Sequence, residues 1–225
     1  MALILNIETS TRNCSVALFN GSNFISEKYL LSEKYSHSEI LTLFIEGVIN
    51  NSPYTLKDLD AISVSKGPGS YTGLRIGVST AKGLSYSLSK PLISIPTLQS
   101  MAFSMSKQMP DFDLYSPMID ARRMEVFSAL FDKNNKEVRG VQADVVDNKT
   151  YAAFLEKKVL FFGDGALKCK EIINHKNAIF IEGIYPSAKD IGTLADIKFE
   201  SKDFEDVAYF EPYYLKDFVT GDKKS

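Results

Sequence analysis

Ala61-Ile-Ser-Val-Ser65 leads through Lys66 into Gly67-Pro-Gly-Ser-Tyr-Thr-Gly73, and from there a helical segment runs from Leu74 to about Leu88. A branched run, a turn of glycine, proline and serine, and a periodic segment read as strand, turn and helix. That unit sets the expectation of an α/β fold.

Working outward from it, Leu3-Ile-Leu-Asn-Ile7 and Cys14-Ser-Val-Ala-Leu-Phe19 read as a β-hairpin across Glu8-Thr-Ser-Thr-Arg-Asn13. Asn20-Gly21 supplies a tight turn, and Phe24 to Leu31 makes a third antiparallel strand. Ser36 can cap a helix whose apolar positions Ile40, Leu41, Phe44, Ile45, Val48 and Ile49 recur at three- and four-residue spacing until Asn50-Asn-Ser-Pro53 ends it. Pro91 and Pro96 bracket a short strand, Leu92 to Ile95, and Thr97 is expected to cap a helix through Lys107. Residues 1–110 thus form one βββαβαβα lobe.

The second half restarts in the same way. Ser116 to Asp120 and Glu125 to Phe131 read as strands, Lys133-Asn-Asn-Lys136 as a turn into another strand, and Val159 to Phe162 as a strand ending at Gly163-Asp-Gly165. A helix is expected through Ile173, then a short strand Ala178 to Ile181, a helix around Ser187 to Lys198, and an aromatic tail, Tyr209-Phe-Glu-Pro-Tyr-Tyr214. The sequence therefore predicts two lobes, 1–110 and 111–225, each a mixed sheet flanked by helices, with the tail packing back on the first.

A net charge of -2 excludes a field that gathers polyanions by itself, so a nucleic-acid substrate would have to be held with help from another chain. Met1 to Ile7 is apolar, but it lacks a basic leader and is cut short by Glu8, so no signal peptide or spanning helix is expected and a cytoplasmic location is. Cys14 and Cys169 lie far apart without CxxC spacing, which fits two plain core thiols and neither a disulfide framework nor a thiolate zinc site.

Two turns could hold phosphate. Glu8-Thr-Ser-Thr11 offers hydroxyls and N–H groups between two strands, and Gly67-Pro-Gly-Ser70 precedes a helix N-terminus. Against this, GxxxxGK[ST] is not met, and such residues also serve simply to satisfy a hairpin and to make a sharp turn. Spacing alone favours that plainer role.

These residues nevertheless resemble one family closely. Ile4-Leu-Asn-Ile-Glu-Thr-Ser-Thr11, Cys14-Ser-Val-Ala-Leu18, His37-Ser-Glu39, Gly67-Pro-Gly-Ser-Tyr-Thr-Gly-Leu-Arg-Ile-Gly77, Asp120-Ala-Arg-Arg-Met-Glu-Val126 and Pro212-Tyr-Tyr-Leu215 are similar to the TsaB (YeaZ) family and span almost the whole chain. The resemblance implies an actin-like (ASKHA) fold and an accessory, non-catalytic role in making threonylcarbamoyladenosine in tRNAs. It also implies that a paralogous subunit, TsaD, carries the metal and the transfer chemistry, that a small ATPase, TsaE, joins, and that tRNA is met only through the complex. The resemblance implies no peptidase activity and no membrane, and places ATP and metal on the partner subunits rather than on this chain alone.

The catalytic paralogue carries an HxxxH metal motif on one helical face. The matching stretch here, Pro96-Thr-Leu-Gln-Ser-Met101, has no histidine, and only His37 and His175 occur in the chain. His37 is expected to start a helix and meet a partner or the backbone, and His175 to sit in a lysine-flanked surface turn. Asp120 and Glu125 are expected in a strand-end network, and Lys157-Lys158 and Lys168 with Lys170 on solvated surface. A free-standing ATPase or small-molecule kinase is the alternative, with Gly163-Asp-Gly165 its nearest adenosine-site element. A peptidase lacks a G-x-S-x-G elbow.

For the partner surface, Gly73, Gly77 and Ala81 lie four apart, so small residues line one face and another helix could approach. The helix from His37 has more large apolar residues than one core stripe needs. Together with the resemblance, His37, Ile40, Leu41, Phe44, Ile45, Val48, Gly73, Gly77 and Ala81 form the expected interface with TsaD, or with a second copy of the chain when alone.

Overall fold

The computed structural model describes residues 1–32 and 37–216. Its first sheet is built from β1 (Leu3–Glu8), β2 (Asn13–Asn20), β3 (Asn23–Leu31), β4 (Ala61–Gly67) and β5 (Leu92–Pro96), in the order β3-β2-β1-β4-β5. β1 is antiparallel to β2 and parallel to β4, with Ile7 beside Val64. The second sheet contains β6 (Leu114–Asp120), β7 (Glu125–Asp132), β8 (Glu137–Val145), β9 (Val159–Phe162) and β10 (Ala178–Ile181), in the order β8-β7-β6-β9-β10. That is the order of the first sheet repeated, so the faint likeness of the two halves in sequence is a repeated topology.

β1 alternates poorly in sequence because both of its faces are covered. Leu3, Leu5 and Ile7 enter a core shared with α1 (His37–Asn50) and α2 (Tyr71–Leu88), while Ala2 and Ile4 enter another with Ile191 and Ala195 of α4 (Ala188–Glu200). α3 (Thr97–Gln108) buries Leu98, Met101, Ala102 and Met105 against Tyr115, Ile119, Phe131 and Phe162 of the second sheet. The layers are α1 and α2, first sheet, α4 beside α3, second sheet. The far face of the second sheet is closed by Tyr151, Leu155, Cys169 and Ile173.

Several expectations change. Both connecting helices cross the division at residue 110: α3 from the first half packs its apolar face on the second sheet, and α4 from the second half packs on the first. Thr97 is the first residue of α3 and not its cap; Pro96 takes that position without a side-chain bond. The α-helix expected between Gly165 and Ile173 does not form. The segment forms three-residue turns, Cys169 N–H to Ala166 O and Ile172 N–H to Cys169 O, with a 3-10 helix at Leu167–Cys169. Its buried residues Ala166, Cys169 and Ile173 stand three to four apart, which short turns can seat on the sheet. The expected cap at Ser36 lies outside the described residues. Among the described residues no helix is long and apolar enough to cross a membrane.

Candidate functional site

The turn after β1 and the glycine turn before α2 meet, as two phosphate-holding loops would, but they close on each other. Thr9 Oγ1 donates to Gly73 O at 2.8 Å, and Ser70 N–H donates to Ser10 O at 2.6 Å. His37, the first residue of α1, sets Nε2 2.7 Å from Thr11 O, and Asn13 Nδ2 donates to Pro186 O at 2.9 Å. Thr9 and Ser10 are fully buried and Thr11 is 2% exposed.

The glycines are there for this contact. A Cβ on Gly69 would lie 2.6 Å from Ser10 Cβ; one on Gly73 would overlap Thr9 O, and one on Gly77 would overlap Thr9 Oγ1. Only a backbone without side chains lets α2 approach the hairpin so closely. Ser70 caps α2 by accepting from Gly73 N–H at 3.3 Å. The residues expected as phosphate loops, Glu8, Thr9, Ser10, Thr11, Gly67, Gly69 and Ser70, thus lie where the two turns pack on each other, with the Thr9 hydroxyl and the Ser10 and Ser70 N–H groups taken up by the chain itself and Thr9 to Thr11 buried.

Glu8 sits at the floor of this contact. Its Oε1 accepts from Ser10 N–H at 2.6 Å and Ser65 Oγ at 2.8 Å, while Oε2 is buried without a hydrogen-bond partner among the described residues. Burial pushes its carboxyl above the usual range. Asp190 caps α4 through Ser187 N–H, and burial raises its carboxyl to about 6. Cys14 and Cys169 are buried, as expected, and burial raises their thiols to about 12 and about 11.

The second lobe repeats the motif of glycines against backbone. Gly165 N–H donates to Met118 O at 3.0 Å, and Asp164 Oδ1 accepts from Asp120 N–H at 3.0 Å. Side chains at Gly163 and Gly165 would collide with Met118 and Asp120 backbone. Asp120 is in the expected strand-end network, accepting from Arg122 N–H and pairing with Lys168. Lys168 departs from the expectation of a solvated residue: its Nζ also donates to the carbonyls of Arg123 and Glu125, each at 2.7 Å. His175 is exposed in its turn, with Nδ1 accepting from Asn177 N–H. A concavity of about 540 Å³ beside Tyr151 and Ile172, and one of about 620 Å³ between Tyr86 and Val207, both lie away from Glu8–Thr11.

The expected partner face also turns out to be internal. His37, Leu41, Ile45, Val48, Gly73, Gly77 and Ala81 are buried in the protein's own fold, and Ile40 and Phe44 are half-buried against the same core. The apolar excess of α1 serves β2, β3 and α2. Left outward are Leu43, 62% exposed, and Tyr86, 82% exposed, with Thr72, Arg75, Ser79 and Gly83 along α2. That α2 stripe is mostly polar and small, so hydrophobic periodicity could not single it out.

The tail returns across the first lobe. Phe210 is buried, Lys82 Nζ donates to the carbonyls of Ala208 and Phe210, and Tyr213 N–H donates to Lys66 O. Tyr214 packs on Tyr71 with ring centroids 4.6 Å apart, and Lys216 pairs with Glu125 of the second sheet at 2.6 Å.

Comparison with known proteins agrees with this architecture. Residues 31–219 match the family model described as TsaD, tRNA N6-adenosine threonylcarbamoyltransferase. The chain is 33% identical to the tRNA threonylcarbamoyladenosine biosynthesis protein TsaB of Bacillus subtilis (strain 168), covering 95% of this chain and 93% of that protein. It is 27% identical to TsaB of Escherichia coli (strain K12), covering 98% and 97%. In fold it matches YeaZ from Pseudomonas aeruginosa with a TM-score of 0.79 at 22% identity, covering 96% of this chain and 100% of that one. With its closed hairpin turn and repeated sheet order, this chain belongs to the TsaB family of tRNA threonylcarbamoyladenosine biosynthesis proteins, within the wider TsaD-type threonylcarbamoyltransferase family.

Proposed function

We propose that this chain is a non-catalytic partner subunit that binds and activates a TsaD-type threonylcarbamoyltransferase during formation of threonylcarbamoyladenosine in tRNA. The observation that carries the reading is the filled turn: Thr9, Ser10 and Thr11, which the sequence offered for phosphate, are held by the glycine turn, α2 and His37. The absence of histidine from Pro96–Met101 supports the same view. ATP and metal are assigned to the partner subunits, with a TsaE-type ATPase joining the pair. The free-standing ATPase reading needs an open phosphate turn and draws no support from this geometry.

The partner surface is placed on the outward side of α1 and α2, around Leu43, Tyr86 and the small residues Ser79 and Gly83. A Cβ on Gly83 would meet nothing within 4 Å, so a partner helix could come close there. When the chain is alone, a second copy would use the same face about a two-fold axis.

The test is co-purification with the transferase subunit, followed by the tRNA modification assay with each subunit omitted in turn. Leu43→Asp and Tyr86→Asp should fold normally by circular dichroism and weaken assembly by about 2 kcal/mol or more each, as removal of a buried interface anchor does. Two folded variants that assemble and support modification like the parent would move the interface elsewhere.

A further inference from the structure

The corner between β6 and β7, Ala121–Met124, carries two positive charges that no ion pair among the described residues neutralises. Arg122 and Arg123 both adopt left-handed backbone, with φ of 71° and 50°, and both are exposed. Among the described residues neither guanidinium has a hydrogen bond or ion pair; Arg122 is engaged through its backbone, its N–H with Asp120 and its carbonyl with Glu125 N–H.

The backbone beneath them is fixed from several sides. Ala121 N–H donates to Glu125 O at 3.0 Å, Glu125 N–H to Arg122 O at 3.1 Å, and Val146 N–H to Met124 O at 3.1 Å. Lys168 Nζ holds the carbonyls of Arg123 and Glu125 from below. The other charges nearby are already matched: Lys168 with Asp120, and Lys216 with Glu125. The remaining carboxyl, Asp164, is turned to the Asp120 N–H, and burial pushes it above the usual carboxylate range. The corner therefore presents two guanidinium forks on a rigid base.

Neither of the two concavities described above is lined by Arg122 or Arg123, so an anion drawn to this corner meets an open surface. A mononucleotide would find phosphate contacts but no pocket. An extended polyanion lying across the surface needs no pocket, and arginine forks suit successive phosphates.

We infer that Arg122 and Arg123 form a phosphate-backbone contact for RNA, made when this chain stands in the tRNA-modifying assembly. The inference rests on the subunit reading above, which supplies tRNA as the polyanion at hand. Two contacts on a chain of net charge -2 add to binding by the assembly and are too few to hold RNA alone.

The experiment measures tRNA binding by the purified complex of this chain with the transferase subunit, by fluorescence anisotropy across a potassium chloride series. Arg122→Gln/Arg123→Gln should assemble and melt like the parent, bind tRNA several-fold more weakly, and lower the slope of log affinity against log salt by about 1.4–1.8. Lys133→Gln/Lys136→Gln removes the same charge at the other end of β7, roughly 25 Å away, and should leave both quantities unchanged. An arginine double variant with parental affinity and slope overturns the contact and leaves the subunit reading standing. Equal losses in the two double variants also overturn it, because net charge would then be the cause. Failure of the parent chains to assemble overturns the subunit reading and this contact with it.

Discussion

Three glycines on one helix give a test of how the hairpin turn is closed. Gly73, Gly77 and Gly83 all lie within α2, so replacing each by alanine brings the same gain in helix propensity, about 1 kcal/mol. At Gly83 nothing lies within 4 Å of the new methyl, and that gain should appear in full. At Gly77 the methyl lands on Thr9 Oγ1, which cannot move away without giving up its 2.8 Å bond to Gly73 O. Overpacking costs about 1–3 kcal/mol. Leaving the buried hydroxyl and carbonyl unmatched costs a further ~1–3 kcal/mol. After the propensity gain, Gly77→Ala should lose about 1–5 kcal/mol. Gly73→Ala should lose at least as much, since its methyl meets the Thr9 carbonyl, a backbone atom that cannot swing aside. Urea unfolding followed by far-ultraviolet circular dichroism, with unchanged slope against denaturant, reads these values directly. A Gly77→Ala protein as stable as Gly83→Ala would refute the close seating of α2 on the turn, and with it the account of why Thr9 to Thr11 are unavailable to phosphate.

Asp190, its carboxyl raised to about 6 by burial, binds a proton more tightly folded than unfolded. Its contribution to stability is whole below the unfolded value near 4 and is lost as pH rises to about 6, by on the order of 2–3 kcal/mol. Glu8 is raised in the same direction, so Asp190→Asn should reduce the fall in urea midpoint between pH 4.5 and pH 7 without abolishing it; a variant with the full parental fall would count against the assignment. The thiols of Cys14 and Cys169, raised by burial to about 12 and about 11, should resist a disulfide-exchange reagent at pH 8 in the native protein. Both should react after unfolding, and prompt native labelling of either would show that its burial is not maintained.

The sequence determined the elements and the family. Branched strands, Asn20-Gly21 and the periodic run of α1 are local signals, and apart from the helix expected after Gly165 the elements formed within a few residues of their expected bounds. The glycine run from Gly67 to Gly77 was legible as a place where backbones come close. What they approach was not. Small residues four apart look the same whether the neighbour is a partner helix or the molecule's own turn, and only the tertiary structure put Thr9 against Gly73 and Gly77. The apolar excess of α1 carried the same ambiguity: burial on one's own sheet and burial on another chain demand the same side chains. Nor could local pattern assign α3 and α4 to a sheet, because an amphipathic helix fits any apolar face, and chain connectivity sent each to the sheet of the other half. The segment after Gly165 was lost as a helix because its spacing of three to four residues serves either kind of turn, and packing on β6 and β9 chose the tighter one.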